Sequence, residues 1–263
     1  MLKKMTLFNL IGKKYDGTRK ADPHIVKAIL KYLNLPKGGI VVDIGAGTGN
    51  YSEVLAENQY KVIAIEPSEV MRKQGKQHPR IFWLEGFAED LPLKDNFADG
   101  IICIATVHHF SDIRKAFKEM YRILKPGGSA VIVGADHKVR KNLWLDDYFN
   151  PLESTLYPTA KDVAKGLEEE FKTAAQIKFF LVPAEVQDCF FISGWRRPWF
   201  YLDDTFCNNI SPLAKAPKAK LKAFQDKLKK DIFSGEWEKR YGKILELESF
   251  DGGYYFVVVR KPI

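Results

Sequence analysis

Cysteine is scarce in this 263-residue sequence, which has three widely spaced residues of that type: Cys103, Cys189 and Cys207. An odd number of cysteines without a ligand-like spacing supports neither a disulfide framework nor a zinc site. The same usage is typical of a reducing compartment. We therefore expect a cytoplasmic protein that holds no metal.

Long apolar runs are also missing. The longest, residues 101–107 and 254–259, fall far short of the ~20 residues that a membrane-spanning helix needs. The first eleven residues contain two lysines and a short, interrupted apolar stretch, without a small-residue cleavage site. The sequence therefore predicts neither a membrane segment nor a secretory signal.

Positive charge is in excess, because 41 basic residues face 33 acidic ones and leave a net charge of +8. Ten basic and four acidic residues fall in residues 211–243, which invites a nucleic-acid interpretation. Within that stretch Leu221, Phe224, Leu228 and Ile232 recur at helical spacing, with the lysines on the other face. We predict a solvated amphipathic helix there rather than a nucleic-acid surface.

The first half of the chain alternates between short apolar runs and segments of helical periodicity. Asp22 and Pro23 provide the N-cap and first position of one helix, and Ser111 and Asp112 begin another. The alternation predicts an α/β fold of the Rossmann-like, doubly wound type, with a mostly parallel sheet. The predicted buried strands are residues 40–44, 61–65, 81–84, 100–105 and 130–133.

The second half of the chain differs in composition, because residues 141–210 contain 14 of the 34 aromatic side chains. Strand character returns at residues 177–182 and 254–260, the latter after the turn signal Asp251-Gly252-Gly253. We predict that these strands bring the sheet to seven, with an aromatic-rich cap inserted after the fifth. The expectation is one domain, residues 1–263, with a core at 1–140 and a cap at 141–250.

The sharpest motif is Gly45-Ala46-Gly47-Thr48-Gly49, which joins the first strand to its helix. Glycines at alternate positions let the backbone turn tightly and approach a ligand, beside the positive end of the helix dipole. The spacing differs from the G-x-G-x-x-G of dinucleotide sites, which disfavours a nicotinamide oxidoreductase. Asp43 would repel a pyrophosphate but could hold an ammonium group, and Glu66 ends the second strand where it could accept ribose hydroxyls. An adenosine that carries an amino-acid tail and no phosphate satisfies these features.

The motifs together resemble those of class I S-adenosylmethionine-dependent methyltransferases, in the small-molecule branch that includes trans-aconitate-type and ubiquinone-pathway enzymes. The resemblance runs from about residue 15 to residue 136, and more weakly through Gly235-Glu236-Trp237 and Asp251-Gly252-Gly253-Tyr254. The motifs that carry it, in chain order, are Asp43-Ile44-Gly45-Ala46-Gly47-Thr48-Gly49, Glu66, Gly86-Phe87-Ala88-Glu89-Asp90-Leu91-Pro92, Ala105-Thr106-Val107-His108-His109-Phe110 and Leu124-Lys125-Pro126-Gly127-Gly128.

The resemblance implies S-adenosyl-L-methionine as cofactor and a set of residues that would bind it. The glycine loop would lie under the methionine and ribose, Glu66 would bind the ribose hydroxyls, and Arg19 would pair with the cofactor carboxylate. Residues implied near the adenine, the sulfonium or the methyl donor complete the set. The full set is Tyr15, Arg19, Asp43, Gly45, Ala46, Gly47, Gly49, Glu66, Pro67, Met71, Ala88, Glu89, Ile104 and Ala105.

His108 and His109 are the candidate catalytic residues. Adjacent side chains project in different directions, so we expect one of the two to face the reaction site as a base or orienting group. A metal pair is disfavoured because no other ligands are grouped with them. The cationic aromatic stretch Trp195-Arg196-Arg197-Pro198-Trp199 could contact an acceptor, although packing in the cap is the favoured interpretation.

The predicted reaction is an in-line displacement in which a small organic acceptor takes the sulfonium methyl group. Such chemistry asks mainly for alignment and exclusion of water, and needs a base only where the acceptor must lose a proton. An aromatic-rich cap favours an apolar pocket and hence a small-molecule acceptor over nucleic acid. An RNA methyltransferase and a non-catalytic S-adenosylmethionine-binding module are the alternatives.

Overall fold

A central sheet of seven strands organises the computed structural model, which describes residues 19–140, 143–149 and 158–263. The strand order is β3-β2-β1-β4-β5-β7-β6. Strands β1 to β5 run parallel, and β7 lies antiparallel between β5 and β6. The strands are β1 (Ile40–Ile44), β2 (Lys61–Ile65), β3 (Ile81–Leu84), β4 (Ala98–Ile104), β5 (Leu124–Ala135), β6 (Gln176–Pro183) and β7 (Ser249–Arg260).

Helices cover both faces of the sheet, as the doubly wound prediction requires. Asp22 caps the first helix, because its carboxylate accepts hydrogen bonds from the amides of His24 and Ile25. The helices are α1 (Pro23–Leu33), α2 (Asn50–Glu57), α3 (Glu69–Lys73), α4 (Ile113–Ile123), α5 (Ala160–Phe171), α6 (Asp204–Asn208), α7 (Ser211–Ala214), α8 (Lys218–Phe233) and α9 (Glu236–Tyr241). In the described part of the chain, no helix is both long and apolar enough to cross a bilayer.

Two apolar layers hold these helices on the sheet. One layer joins α4 and α5 to the sheet through side chains such as Phe117 and Phe171, both fully buried. The other layer joins α1, α2 and the cap to the opposite face. A mostly parallel sheet requires such double coverage, which explains why its strands are apolar on both faces.

The predicted aromatic-rich cap is confirmed. The indole of Trp144 meets the rings of Tyr201 and Trp237 edge-on, at centroid distances of 5.5 and 5.4 Å. Its Nε1 donates to the carbonyl of Trp195 at 2.7 Å. These contacts draw together three stretches that lie far apart in the sequence.

The basic helix predicted in residues 211–243 is α8. Phe224 and Leu228 are buried against the cap, and Leu221 and Ile232 are half-buried. The lysines at 218, 220, 222, 227, 229 and 230 are exposed. This division confirms the amphipathic prediction.

Strand boundaries were predicted well at one end of the sheet and poorly at the other. The bounds of β1, β2 and β3 are as predicted, whereas β5 and β7 begin earlier. The turn predicted at Asp251-Gly252-Gly253 is wrong, because these residues lie within β7 at an irregularity in its pairing with β6. Gly253 has a φ of +71°, so the chain bends there without leaving the sheet.

Candidate active site

The glycine loop connects β1 to α2 at the carboxyl edge of the sheet. Gly45, Gly47 and Gly49 have φ values of +73°, +60° and +83°, which explains glycine at all three positions. The amides of Gly45 and Ala46 donate to the Ile65 carbonyl at 2.8 and 3.1 Å, so the loop is fixed to the end of β2. Of the loop residues, Gly45 and Gly47 line the large cavity described below, so the loop borders that cavity with backbone alone.

Glu66 follows β2 and is only 7% exposed. Its Oε2 accepts a hydrogen bond from the Gly47 amide at 3.0 Å, and its Oε1 accepts one from the Ser68 amide at 2.9 Å. Burial raises the pKa of Glu66, while the hydrogen bonds from Ser68 and Gly47 and the charge of Arg72 oppose the rise. Each carboxylate oxygen can accept a further hydrogen bond. The side chain could therefore bind a pair of neighbouring hydroxyl groups, such as those of a ribose.

A cavity of about 390 Å³ opens in front of the loop and Glu66. Its volume lies within the range that small-molecule and cofactor sites occupy, roughly 300–1,000 Å³. Most of the predicted site residues contribute to its wall. They are Arg19, Gly45, Gly47, Glu66, Pro67, Met71, Ala88, Glu89, Ile104, Ala105, His108 and His109.

A second, polar cavity of about 60 Å³ lies beside the glycine loop. Arg19, Lys20, Asp43, Ala46 and Asp188 are among the residues that line it, so two basic side chains and two carboxylates border the same small space. Asp43 is 3% exposed, and its Oδ2 accepts a hydrogen bond from Ser52 Oγ at 2.6 Å. Burial raises the pKa of Asp43 to about 7; the Ser52 hydrogen bond opposes the rise and Glu66 adds to it. This charge pattern is complementary to the carboxylate and ammonium groups of an amino acid.

Three predicted residues have other positions or partners. Gly49 lines neither cavity, and a side chain there would meet the Trp83 ring. The guanidinium of Arg19 forms an ion pair with Asp188, with Nη2 and Oδ2 3.1 Å apart. Tyr15 lies outside the described residues.

Glu89 lines the cavity but also organises the start of α4. Its Oε1 accepts hydrogen bonds from the amides of Ser111 and Asp112, at 2.5 and 3.2 Å, and from Ser111 Oγ at 2.8 Å. Partial burial works against ionisation, yet these bonds together lower the pKa of Glu89. The carboxylate is therefore charged and anchored at the wall of the cavity.

Sheet topology divides the large cavity into two halves. Glu66, Met71 and Ala88 follow β2 and β3, which lie on one side of β1 and β4. The opposite half is formed by the ends of β4 and β5, by Tyr254 of β7 and by two cap segments. This half, the distal pocket, is lined by His108, His109, Gly134, Ala135, His137, Cys189, Phe190, Phe191, Asn209, Ile210, Ser211, Pro212 and Tyr254.

Both candidate histidines line the cavity, and the expectation that one of them faces the reaction site stays a prediction. His108 and His109 belong to the 3₁₀ turn Val107–His109, and their ring centroids are 3.9 Å apart with the planes tilted by 51°. The two imidazole rings are therefore in direct contact with each other.

His137 is a third histidine of the distal pocket, and the sequence interpretation missed it. It lies two residues after Ala135, the last residue of β5, and this position just beyond a strand end is the signal that could have identified it. Burial and, after it, the charge of Arg140 lower the pKa of His137. The neutral imidazole is therefore favoured.

Most of the basic aromatic stretch 195–199 packs in the cap, although Trp199 is 54% exposed. Trp195 is fully buried, and Arg197 donates to the carbonyls of Val186 and Ser193 at 3.0 Å each. Neither residue lines the large cavity or the small polar one. The structure thus agrees with the packing interpretation of this stretch.

Comparison with known proteins supports a single family. Residues 42–132 match the model of the methyltransferase domain family. A solved Anabaena variabilis protein, provisionally named a methyltransferase from an antibiotic biosynthesis pathway, is 40% identical with a TM-score of 0.89. The match covers 92% of this chain and 98% of that protein.

Two curated relatives act, by name, on naphthoquinone compounds. The demethylmenaquinone methyltransferase of Paenarthrobacter aurescens is 32% identical over 183 residues, which are 66% of this chain and 70% of that enzyme. The 2-phytyl-1,4-naphthoquinone methyltransferase of Thermosynechococcus vestitus is 28% identical over 179 residues, 63% of this chain and 78% of that enzyme. Together with the glycine loop, the buried Glu66 and the sheet order, these similarities show that the chain belongs to the class I S-adenosylmethionine-dependent methyltransferases that act on small organic molecules.

Proposed function

We propose that the methyl acceptor is a neutral, planar, largely apolar compound with a ring hydroxyl group, of the hydroquinone or naphthoquinol class. The observation that carries the proposal is the composition of the distal pocket, where aromatic walls surround three histidines. When bound, S-adenosylmethionine supplies a methyl group that an electron-rich atom can displace from sulfur. The residues of this chain must therefore hold the acceptor, exclude water and take up its proton.

The half of the large cavity that lies opposite the distal pocket, with Glu66 and Glu89 in its wall, fits the nucleoside part of the cofactor. Glu66 would accept hydrogen bonds from the ribose hydroxyls, and Met71, Pro67 and Ala88 would contact the adenine. The smaller cavity would take the amino-acid end, with its ammonium group near Asp43 and its carboxylate near Arg19 and Lys20. Ile104 and Ala105, at the end of β4 between the two halves, would then lie beside the sulfonium.

The distal pocket supports a planar apolar acceptor. The rings of Phe190 and Tyr254 lie 4.4 Å apart between centroids, with a tilt of 40°, and Phe191 and Ile210 add further apolar wall. Among the described residues that line this half, no carboxylate and no lysine or arginine is present. A charged acceptor that moved from water into this pocket would find no side chain of opposite charge, and its desolvation would cost free energy.

The histidines support an acceptor that loses a proton. An unprotonated ring nitrogen of His137, His108 or His109 can take the proton of a ring hydroxyl, leaving a phenolate that is a better nucleophile through oxygen or through the neighbouring ring carbon. Methylation at carbon is completed when that ring position loses its proton and the oxygen regains one, so that one proton is released overall. Only a neutral imidazole can accept the hydroxyl proton, and the lowered pKa of His137 favours that neutral form.

A small molecule is also the better match to the distribution of charge. The exposed lysines lie on α8, whereas no lysine lines the large cavity in the described chain. Recognition of a phosphate backbone would need basic side chains around the site. We further infer a cytoplasmic location, because Cys103, Cys189 and Cys207 are free thiols.

An acceptor panel tests the proposal. Purified protein and S-adenosylmethionine would be incubated with 1,4-naphthoquinol, a simple phenol, an aliphatic tricarboxylate, a primary amine and a short RNA, and S-adenosylhomocysteine would be measured by mass spectrometry. We expect turnover with the naphthoquinol to exceed that with the carboxylate, the amine and the RNA. Preference for any of those three would overturn the proposed acceptor class.

Histidine variants test the proton transfer. His108→Gln, His109→Gln and His137→Gln would be compared with His78→Gln, whose side chain lies outside the cavity. Loss of the base should lower kcat by about 10²–10⁴-fold and remove the acidic limb of the pH–rate profile. The proton-transfer step is overturned if all three variants keep the kcat and profile of the His78→Gln control.

A further inference from the structure

Asp188 connects the cap to two parts of the cofactor-binding core. It is 2% exposed and lies in the cap segment that follows β6. Its carboxylate pairs with the Arg19 guanidinium through Nε and Nη2, and its Oδ2 accepts a hydrogen bond from the Tyr51 hydroxyl at 3.1 Å. One buried side chain thus joins the cap, the segment before α1 and the start of α2.

The neighbouring residue is anchored in the same way. The Gln187 amide donates to Oδ2 of Asp22 at 2.9 Å. The other carboxylate oxygen of Asp22 caps α1, and Asp22 is fully buried. Two buried carboxylates, one from each side of the contact, therefore fix residues 187 and 188 to the core.

The two ends of this connection lie at different functional regions. Arg19 lines both the large cavity and the small polar one beside the glycine loop, and Asp188 lines the small one with it. Cys189, Phe190 and Phe191, the three residues after Asp188, line the distal pocket. Asp188, which pairs with Arg19 at the small cavity, is therefore directly adjacent in the sequence to the residues that line the distal pocket.

We propose that Asp188 is a positioning residue that couples the amino-acid end of the cofactor to the aromatic wall of the acceptor site. A carboxylate that binds the guanidinium through two N–H groups fixes the plane in which the arginine lies. Arg19 then faces the small cavity in one orientation. A ligand carboxylate bound in that cavity attracts the same guanidinium and so further restricts its movement. Residues 189–191 become more rigid when that cavity is filled. The inference requires the cofactor assignment but no particular acceptor.

Ligands that differ only at the amino-acid end test this role by calorimetry. S-adenosylhomocysteine has that end, whereas 5′-methylthioadenosine lacks it and fills only the nucleoside region. In Asp188→Asn the affinity for S-adenosylhomocysteine should fall by about tenfold or more, while that for 5′-methylthioadenosine should stay within about twofold. Tyr51→Phe is the comparison variant, because it removes the hydroxyl bond to Asp188 and keeps the ion pair. Tyr51 also lines the small cavity, so its affinity for S-adenosylhomocysteine should fall less than that of Asp188→Asn.

Hydrogen exchange in the wild-type protein provides an independent readout. S-adenosylhomocysteine should slow amide exchange in peptides covering residues 186–192, and 5′-methylthioadenosine should not. In Asp188→Asn neither ligand should slow it. The comparison of the two ligands in the wild-type protein tests the coupling even if the Asp188→Asn variant is unstable.

Two outcomes would overturn the coupling. One is an equal loss of affinity for both ligands in Asp188→Asn, which would indicate a structural role alone. The other is equal protection of residues 186–192 by both ligands in the wild type. A wild type that binds neither ligand would instead overturn the cofactor assignment, and a failure of the naphthoquinol panel would leave the coupling intact.

Discussion

The amide of Gly47 donates a hydrogen bond to Oε2 of Glu66 at 3.0 Å, across the junction of β1 and β2. One contact therefore sets the position of the glycine loop relative to the acidic residue that ends the second strand. The two motifs are 19 residues apart in the sequence. They form a single structural unit because parallel strands end at the same edge of the sheet.

Glu66→Ala should weaken binding of S-adenosylmethionine and S-adenosylhomocysteine by about 1–3 kcal/mol, since charged hydrogen bonds to ribose hydroxyls would be lost. Isothermal titration calorimetry measures the change, with NAD as a ligand that the loop spacing disfavours. Glu69→Ala is the matched control, because Glu69 lies three residues away with its side chain 68% exposed. Equal affinities in the two variants would show that Glu66 does not bind the ribose.

Binding of S-adenosylhomocysteine should become tighter as the pH rises through about 7. The Asp43 carboxyl has a pKa of about 7, so it is partly protonated in the free protein at that pH. A ligand ammonium group favours the carboxylate, and the proton must then leave as the ligand binds. Affinity should rise by at most about tenfold per pH unit between roughly pH 6 and pH 8.

Asp43→Asn and 5′-methylthioadenosine are the controls for this pH dependence. The variant has no carboxyl group to titrate, and the ligand has no ammonium group, so each should give a flatter profile than the wild type with S-adenosylhomocysteine. A wild type and variant with the same slope would place the titrating group elsewhere.

The unliganded protein should show the opposite dependence of stability on pH. Because the folded pKa of Asp43 is raised from 3.8 to about 7, its contribution to stability is fully present below the unfolded value and is lost as the pH rises through about 7. Asp43→Asn should therefore lose less stability than the wild type between about pH 5 and pH 8. Urea denaturation at the two pH values measures the difference, and parallel losses in both proteins would contradict it.

Local patterns were sufficient to predict the first half of the fold. The strands β1, β2 and β3 are apolar runs bounded by turn residues, and their bounds were predicted to the residue. Glu66 and the glycine loop followed from the same reasoning, because their positions depend on strand ends that the sequence marks clearly.

The start of β7 was missed because its glycines serve a contact that is not local. Gly252 lies where a side chain would overlap Ile192 of the cap, and the carbonyl of Gly253 accepts a hydrogen bond from the Asp136 amide at 2.8 Å. Glycine is present at these two positions because the strand bends there and approaches other residues closely. A sequence pattern does not distinguish such glycines from those of a turn.

The distal pocket could not be predicted for a related reason. Phe190, Phe191 and Ile210 come from cap segments without regular periodicity, and packing between distant stretches brings them to the ends of β4 and β5. Asp188 likewise finds Arg19 across 169 residues of sequence. Only the tertiary structure identifies such partners.

Gly45→Ala separates the two reasons for glycine in the loop, backbone conformation and close approach. Gly45 has a φ of +73°, and a side chain there would overlap that of Thr106. Gly38 has a φ of +85° with nothing within 4 Å of a side chain, so Gly38→Ala experiences the backbone strain alone. Gly38→Ala should lower the free energy of unfolding by about 1–2 kcal/mol, and Gly45→Ala by a further 1–3 kcal/mol or so because of overpacking. Urea denaturation gives both values, and calorimetry should show lost affinity for S-adenosylhomocysteine in Gly45→Ala only. If both variants are destabilised equally and bind the ligand equally, the contact between the loop and Thr106 does not constrain the site.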